Sequence, residues 1–232
     1  MKRAILFVVI ALMGGFALGT LFGSGISSAH LAAAKGGSVM STYSIEAVDG
    51  AASAAGAPAE TEAPPGTDCL LEQAGAVLEQ LAEEDWQGLS RLIHPEKGVR
   101  LTPYSTVSTE RDRVLMPEQV ALLGEDETVY TWGLEDGIGA PIRLTGAEYF
   151  ASYVYNADYA AAPEQGVDEV LMQGNALENA GSAYPEGRFV EYHFPGLDES
   201  MEGYDWCSLK LVFEPYQGEW SLVGLIHSEW TV

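Results

Sequence analysis

Hydrophobic positions along this chain change their period several times, and each change marks an element. Leu70, Ala74, Val77, Leu78 and Leu81 recur at three- and four-residue intervals, with Glu72, Glu79 and Glu83 opposite. That spacing predicts an amphipathic helix with Thr67 or Asp68 as its N-cap. Asp85 reads as a second cap, opening a short helix through Trp86, Leu89, Leu92 and Ile93. Pro95 ends it, because the residue before a proline is pushed out of helical geometry. Val99–Thr102 then reads as a short strand limited by Pro103, and residues 105–116 as polar and irregular.

Pro117 in a first helical turn, followed by Val120, Leu122 and Leu123, predicts another short helix closed by Gly124. Glu127–Trp132 alternates as a strand does and pairs with Pro141–Leu144 through the turn-forming Asp136–Gly139. Thr145 and Glu148 have capping-box spacing, and Tyr149, Phe150, Tyr153 and Val154 follow at core spacing. Residues 160–187 lack a period and read as a long loop with one extended piece around Val170–Met172. The C-terminus alternates most clearly. Val190, Tyr192 and Phe194 oppose Phe189, Glu191 and His193; Cys207, Leu209, Leu211 and Phe213 oppose Ser208, Lys210 and Glu214. A turn at Pro215–Gly218 leads into Trp220–His227. Three successive strands of this kind are an antiparallel meander, its polar positions facing away from the core.

The N-terminus changes the picture. Lys2 and Arg3 precede an uncharged run from Ala4 to Ala29. Such a run serves as a signal peptide or, at this length, as a signal-anchor helix, with residues 4–26 in the membrane and the remainder outside. Small residues at 27–29 and 32–34 leave cleavage and secretion open. Gly15, Gly19 and Gly23 share one helix face with Ala11, a spacing that permits dimerisation. Residues 31–66 are rich in Ala, Gly, Pro and Ser without a period and read as a flexible tether, which places a single domain at 67–232. Of 34 acidic residues, 30 lie from Thr67 onward, against 8 of the 11 basic ones. A field of that sign repels phosphate backbones and argues against nucleic acid as a partner.

Helices first and a sheet last predict an α+β fold, with the N-terminal helices packed on a curled antiparallel sheet. The order, a helix, a short second helix ending near His94-Pro95 and then a long meander, resembles the NTF2-like cone. The phrases HPEKGVRLTPY, TWGLEDGIGAPIRLTGAEYFASYVYNADY and DWCSLKLVFEPYQGEWSLVGLIHSEWTV also resemble a family of uncharacterised exported bacterial proteins. That resemblance spans about Leu78 to Val232 and implies a fold, with no activity, cofactor or catalytic residue attached to it.

Candidate chemistry gathers at the joint between helix and strand. His94 with Glu96 is a potential acid–base pair, flanked by the cations Lys97 and Arg100 and by Tyr104. The plainer reading makes His94-Pro95 a helix end and Lys97-Gly98 a turn. Glu191 and His193 on one strand, and Trp132 among the aromatic residues, are further candidates to line a pocket inside the curl. Arg100 has three placements: paired internally with Glu191, free for an anionic ligand, or on the solvent face. Scattered histidines lack metal-ligand spacing, and no cofactor fingerprint occurs. Cys69 and Cys207 are the only cysteines. A bridge between them would contribute roughly 4–5 kcal/mol in the chain-entropy picture; the alternative is two thiols acting as small apolar residues.

Two functional classes fit these residues. One is an extracytoplasmic, membrane-anchored, non-catalytic domain that binds a small ligand or a protein partner. The other is a small hydrolase or lyase with a histidine–carboxylate pair in the cone pocket. Both require export. Protease added to intact cells is expected to remove the domain from Thr67 onward while sparing an N-terminal tag; a domain cut only after lysis would contradict the topology.

Overall fold

The computed structural model describes residues 65–231. The expected membrane span, with Gly15, Gly19 and Gly23, and nearly all of the tether lie outside them. Among the described residues no helix is long and apolar enough to cross a membrane.

Helix α1 (Thr67–Glu83) buries Leu70, Ala74, Val77, Leu78 and Leu81, as their spacing requires. Its N-cap is Gly66 and not Thr67 or Asp68; the Gly66 carbonyl accepts the Leu70 amide at 3.2 Å, so the helix starts one residue early. Asp85 does cap α2 (Trp86–Ser90), accepting the Gly88 amide at 2.8 Å. This helix stops before Leu92 and Ile93 because the chain there turns toward the sheet: the Leu92 carbonyl and the His94 amide both bond to Leu222.

Strands β1 (Val99–Thr102) and β2 (Arg113–Leu115) lead into α3 (Pro117–Ala121), and β3 (Tyr130–Leu134) pairs with β4 (Pro141–Leu144) as a separate ribbon. The capping box of Thr145 and Glu148 starts α4 (Gly146–Tyr149), which widens into a π-turn over Phe150–Val154. Next come β5 (Glu164–Val167), α5 (Ala180–Ala183), β6 (Arg188–Phe194), β7 (Cys207–Tyr216) and β8 (Glu219–Glu229). The main sheet has the order β2-β1-β8-β7-β6-β5. The β6-β7-β8 meander is antiparallel as expected, and a bulge at Val212/Phe213 bends it. This α+β arrangement of helices against a curled sheet is the one that NTF2-like resemblance implies.

Three features differ from the sequence reading: β2 lies in the stretch expected to be irregular, β5 lies at 164–167 where extended chain was expected at 170–172, and β1 joins β8 in parallel. β2 and β5 are three or four residues long and held by main-chain bonds, so they need no side-chain alternation; β1 does alternate, with Val99 and Leu101 in the core and Arg100 on the other face.

The largest correction concerns the sheet's two faces. Leu209, Leu211, Phe213, Val190 and Leu225 pack with α1 and the π-turn in the main core. The opposite face, expected to be solvated, is covered by residues 168–187. Ala180 and Tyr184 of this strap form a second core with Val107, Val212, Val223 and Ile226. Gly224 makes the approach possible: a Cβ there would lie 2.6 Å from the Tyr184 hydroxyl oxygen. Ser208, Lys210, Glu191 and His193, all on that face, are therefore at most 1 % exposed.

Burying Lys210 requires a counter-charge. Its ammonium lies 2.9 Å from Glu178 of the strap and 3.3 Å from Glu191 of β6. These contacts fall off the hydrogen-bonding directions, so the attraction is chiefly Coulombic. The carboxylates are fixed in turn by main-chain amides, Ala180 N–H donating to Glu178 at 2.8 Å and Leu171 N–H to Glu191 at 3.0 Å. Lys210→Met leaves two carboxylates facing each other without a cation. It should destabilise the domain by roughly 3–5 kcal/mol in urea unfolding, and adding Glu191→Gln should recover part of that loss. A neutral Lys210→Met would show that the strap is held by packing alone.

Candidate functional site

The joint at residues 94–104 disperses its side chains. His94 turns inward, 4 % exposed, and its Nδ1 accepts the amides of Glu96 at 3.2 Å and Lys97 at 3.1 Å. The proton therefore sits on Nε2, and the ring packs on Tyr216 at 4.7 Å between centroids. Burial, aided by Lys97, holds its pKa below the ordinary histidine value. His94 is thus a turn cap: its lone pair serves the main chain, and the exposed Glu96 contacts the Tyr216 hydroxyl at 3.4 Å. Gly98 completes the joint at φ 68°, with its amide on the His94 carbonyl.

His193 and His227 are also committed to the fold. His193 Nδ1 lies 2.8 Å from the Ser208 hydroxyl, and burial lowers its pKa. A serine beside an imidazole has the composition of a nucleophile–base pair, but Ser208 is 0 % and His193 1 % exposed, so no substrate reaches either. His227, fully buried, donates from Nδ1 to the Pro103 carbonyl at 3.1 Å, and its Nε2 lone pair has no partner. All three are buried, and among the described residues none has a carboxylate as its hydrogen-bond partner. No group of three His, Cys, Asp or Glu side chains among the described residues could hold a metal ion.

The pocket expected inside the curl is filled by the protein's own rings. Trp132, fully buried with its indole N–H on the Leu144 carbonyl, stacks on Tyr149 at 4.4 Å. Tyr149 stacks on Tyr153 at 5.2 Å, and Tyr104 meets Tyr153 edge-on at 6.0 Å. Tyr104 instead borders an outer cleft of about 360 Å³ beside Asp112, Glu135 and Asp136. Cys69 and Cys207 are both free. Leu70 occupies the core-facing position of α1, which turns the preceding Cys69 outward, while Cys207 is buried in the sheet.

Arg100 does not meet Glu191. The strand order separates β1 from β6 by two strands, and Glu191 lies directly across from Lys210. Arg100 faces instead a cleft of about 290 Å³ between β1, β2 and α5, lined by Lys97, Thr109, Val114, Ala183, Tyr184, Glu214 and Val223. This cleft brings two of the candidate residues, Lys97 and Arg100, to a common cavity. Lys97 is anchored there by an ion pair with Glu214. Among the described residues Arg100 has no ion pair within bonding distance. Its Nη1 is shared among the carbonyls of Ser108, Thr109 and Asp112 at 3.4–3.5 Å, the outer limit for hydrogen bonds. The Asp112 carboxylate nearby is turned to Thr102 and the Ser108 amide. Tyr184 floors the cleft, its phenol pushed up by burial and drawn back by Arg100 beside it.

Tyr184, Glu214 and Ala183 escaped the sequence reading. Gly224 inside the apolar run of β8 was the available sign, since a glycine there marks a close approach by another segment. Its partner, 40 residues upstream in an unpatterned stretch, carries no sign of its own.

No protein-family model matches the chain, and no curated protein matches it. Among solved structures, it is similar to an NTF2-like protein from Cytophaga hutchinsonii, at 9 % identity over 71 % of this chain and 98 % of that one, with a TM-score of 0.35. It is also similar to a domain of unknown function with a cystatin-like fold from Nostoc punctiforme, at 10 % identity over 72 % and 78 %, with a TM-score of 0.34. An NTF2-like protein of unknown function from Shewanella oneidensis aligns at 10 % identity over 70 % and 98 %, with a TM-score of 0.30.

The buried imidazole of His227 makes stability depend on pH. Burial lowers its pKa to about 4, against 6.5 when exposed. The unfolded chain therefore takes up a proton as pH falls through 6.5, whereas the folded one does so only near 4. Stability contributed by neutral His227 is full above pH 6.5 and declines toward pH 4, by about 3 kcal/mol in all. Glu229, pushed up by burial to about 7, works in the opposite sense and favours the fold at low pH. His227→Asn keeps a donor for Pro103 and cannot titrate. Its stability relative to wild type, from urea unfolding at pH 7 and 4.5, should improve by a large part of that 3 kcal/mol on acidification. Parallel pH profiles would refute the assignment.

Proposed function

We propose that the protein is an extracytoplasmic domain, anchored in the membrane through residues 4–26, that binds a ligand without transforming it. The cleft between β1, β2 and α5 is its binding site. Supporting the non-catalytic reading, His94, His193 and His227 each spend a ring nitrogen on the fold, and among the described residues none has a carboxylate as its hydrogen-bond partner. Supporting the location of the site is the setting of Arg100. In a domain with 30 acidic side chains and 8 basic ones, Arg100 is half-buried and has no ion pair among the described residues; Arg113, also half-buried and unpaired among them, lies instead over the Tyr130 ring. Partly desolvated guanidinium groups take acceptors wherever these are available. One that keeps long contacts to carbonyls alone, beside an open apolar-walled cleft, is placed for a ligand. Supporting the location of the domain are the uncharged run after Lys2 and Arg3 and the Ala/Gly/Pro/Ser-rich stretch behind it.

The test uses the full chain in detergent, with valine methyl groups labelled for NMR. Titration with small neutral, anionic and cationic fragments should include at least one that shifts Val114 and Val223 together. Ala183→Leu, which fills the cleft from α5, should abolish those shifts. Fragments that leave both valines unmoved would remove the binding reading, and appearance of a fragment-derived product would remove the non-catalytic one.

A further inference from the structure

The chemistry of this cleft names its ligand class. We infer that it takes a small organic carboxylate, with the carboxylate on Arg100 and the hydrocarbon part against Val114, Ala183 and Val223; this rests on the cleft being the binding site.

The polar end of the cleft is cationic and geometrically specific. Among the described residues the hydrogen bonds of Arg100 all come from Nη1, and their acceptors are carbonyls at the limit of bonding distance. Its remaining N–H groups have no hydrogen-bond acceptor among the described residues, and two parallel N–H···O bonds from a guanidinium are the arrangement that matches a planar carboxylate. Lys97 adds a second positive charge at the rim, with its side chain 52 % exposed and oriented by Glu214. Glu214, which lines the cleft and pairs with Lys97, offsets one of these two charges, so the cleft does not favour a multiply charged anion. A phosphate or sulfate dianion would meet that carboxylate with twice the charge and no better geometry. A monocarboxylate brings one charge and a flat fork.

The remaining walls set the rest of the molecule. Val114, Ala183 and Val223 present methyl groups without hydrogen-bonding capacity, and Thr109 is at the edge. About 290 Å³ is at the lower end of ligand cavities. The ligand is therefore an acid with a short alkyl or aryl body, not a sugar acid or a peptide of several residues. Because Ala183 and Tyr184 belong to the strap, the cleft exists only while the strap is closed over the sheet.

Isothermal titration of the full chain in detergent tests this with four probes of like size: butyrate, butyramide, butylammonium and inorganic phosphate. Butyrate should bind at least about tenfold more tightly than the other three. Arg100→Gln should lose that preference, and Arg100→Lys, which keeps the charge and loses the fork, should retain only part of it. Ala183→Leu, distant from the guanidinium in sequence and acting only by bulk, should also abolish butyrate binding. It guards against loss of binding through misfolding at Arg100, provided circular dichroism and melting temperature match wild type. Butyrate binding that survives Arg100→Gln, or equals butyramide, overturns the inference. Phosphate or butylammonium binding that is sensitive to Ala183→Leu overturns the carboxylate class while leaving the cleft as the binding site. Binding of none of the four, together with unmoved Val114 and Val223 methyls, removes both.

Discussion

A single lysine ammonium governs how this domain is closed. Lys210 lies in the middle of the sheet with no exposure, and a charge in that position is costly unless a counter-charge is supplied. Glu191 from the neighbouring strand supplies one, and Glu178 from the strap supplies another. The strap is thereby held by an electrostatic requirement as well as by the packing of Ala180 and Tyr184. Further ties reach far along the chain: Asn179 bonds the main chain of Val107 in both directions, Thr106 bonds the Leu177 carbonyl, and Asn175 the Thr231 carbonyl. Without the strap the outer face would show Ser208, Lys210, Glu191 and His193 to water, which is the arrangement their alternation in sequence suggests.

That dependence explains what the sequence made legible. Elements built on an apolar period were readable: the five buried residues of α1, the cap at Asp85, the box at Thr145 and Glu148, and the meander of β6, β7 and β8. Each is specified by local chemistry. The strap was not readable, because what fixes it are contacts to residues far along the chain. Residues 168–187 carry no period, and Lys210 alternates with leucines as any surface lysine on a strand does. A charged residue at an outward position is the same letter whether water or another segment covers it.

The candidate site followed the same division. The joint between α2 and β1 was identifiable from His94-Pro95 and Gly98; His94 Nδ1 accepts two amides of the turn there, although α2 itself ends earlier, at Ser90. The aromatic residues expected around a cavity instead pack on one another, Trp132 on Tyr149 and Tyr149 on Tyr153. Arg100 was recognised as the cation whose placement would decide between readings. The residues that enclose it, Ala183 and Tyr184, came from the segment least accessible to pattern, and so the cleft itself was not foreseen.

The parallel seam between β1 and β8 has a consequence for how the chain reaches this state. β8 is the shared neighbour of β1 and β7, and the bond from His227 to Pro103 crosses 124 residues. Contacts of that span carry a large loop-closure entropy and slow the search for the native topology. During synthesis the first helices and β1 emerge long before their partner, so the N-terminal half has no sheet to complete until the last strand arrives. Folding of the whole domain is thus gated by its C-terminus, and the chain stays open, and able to be threaded, for as long as that strand is withheld.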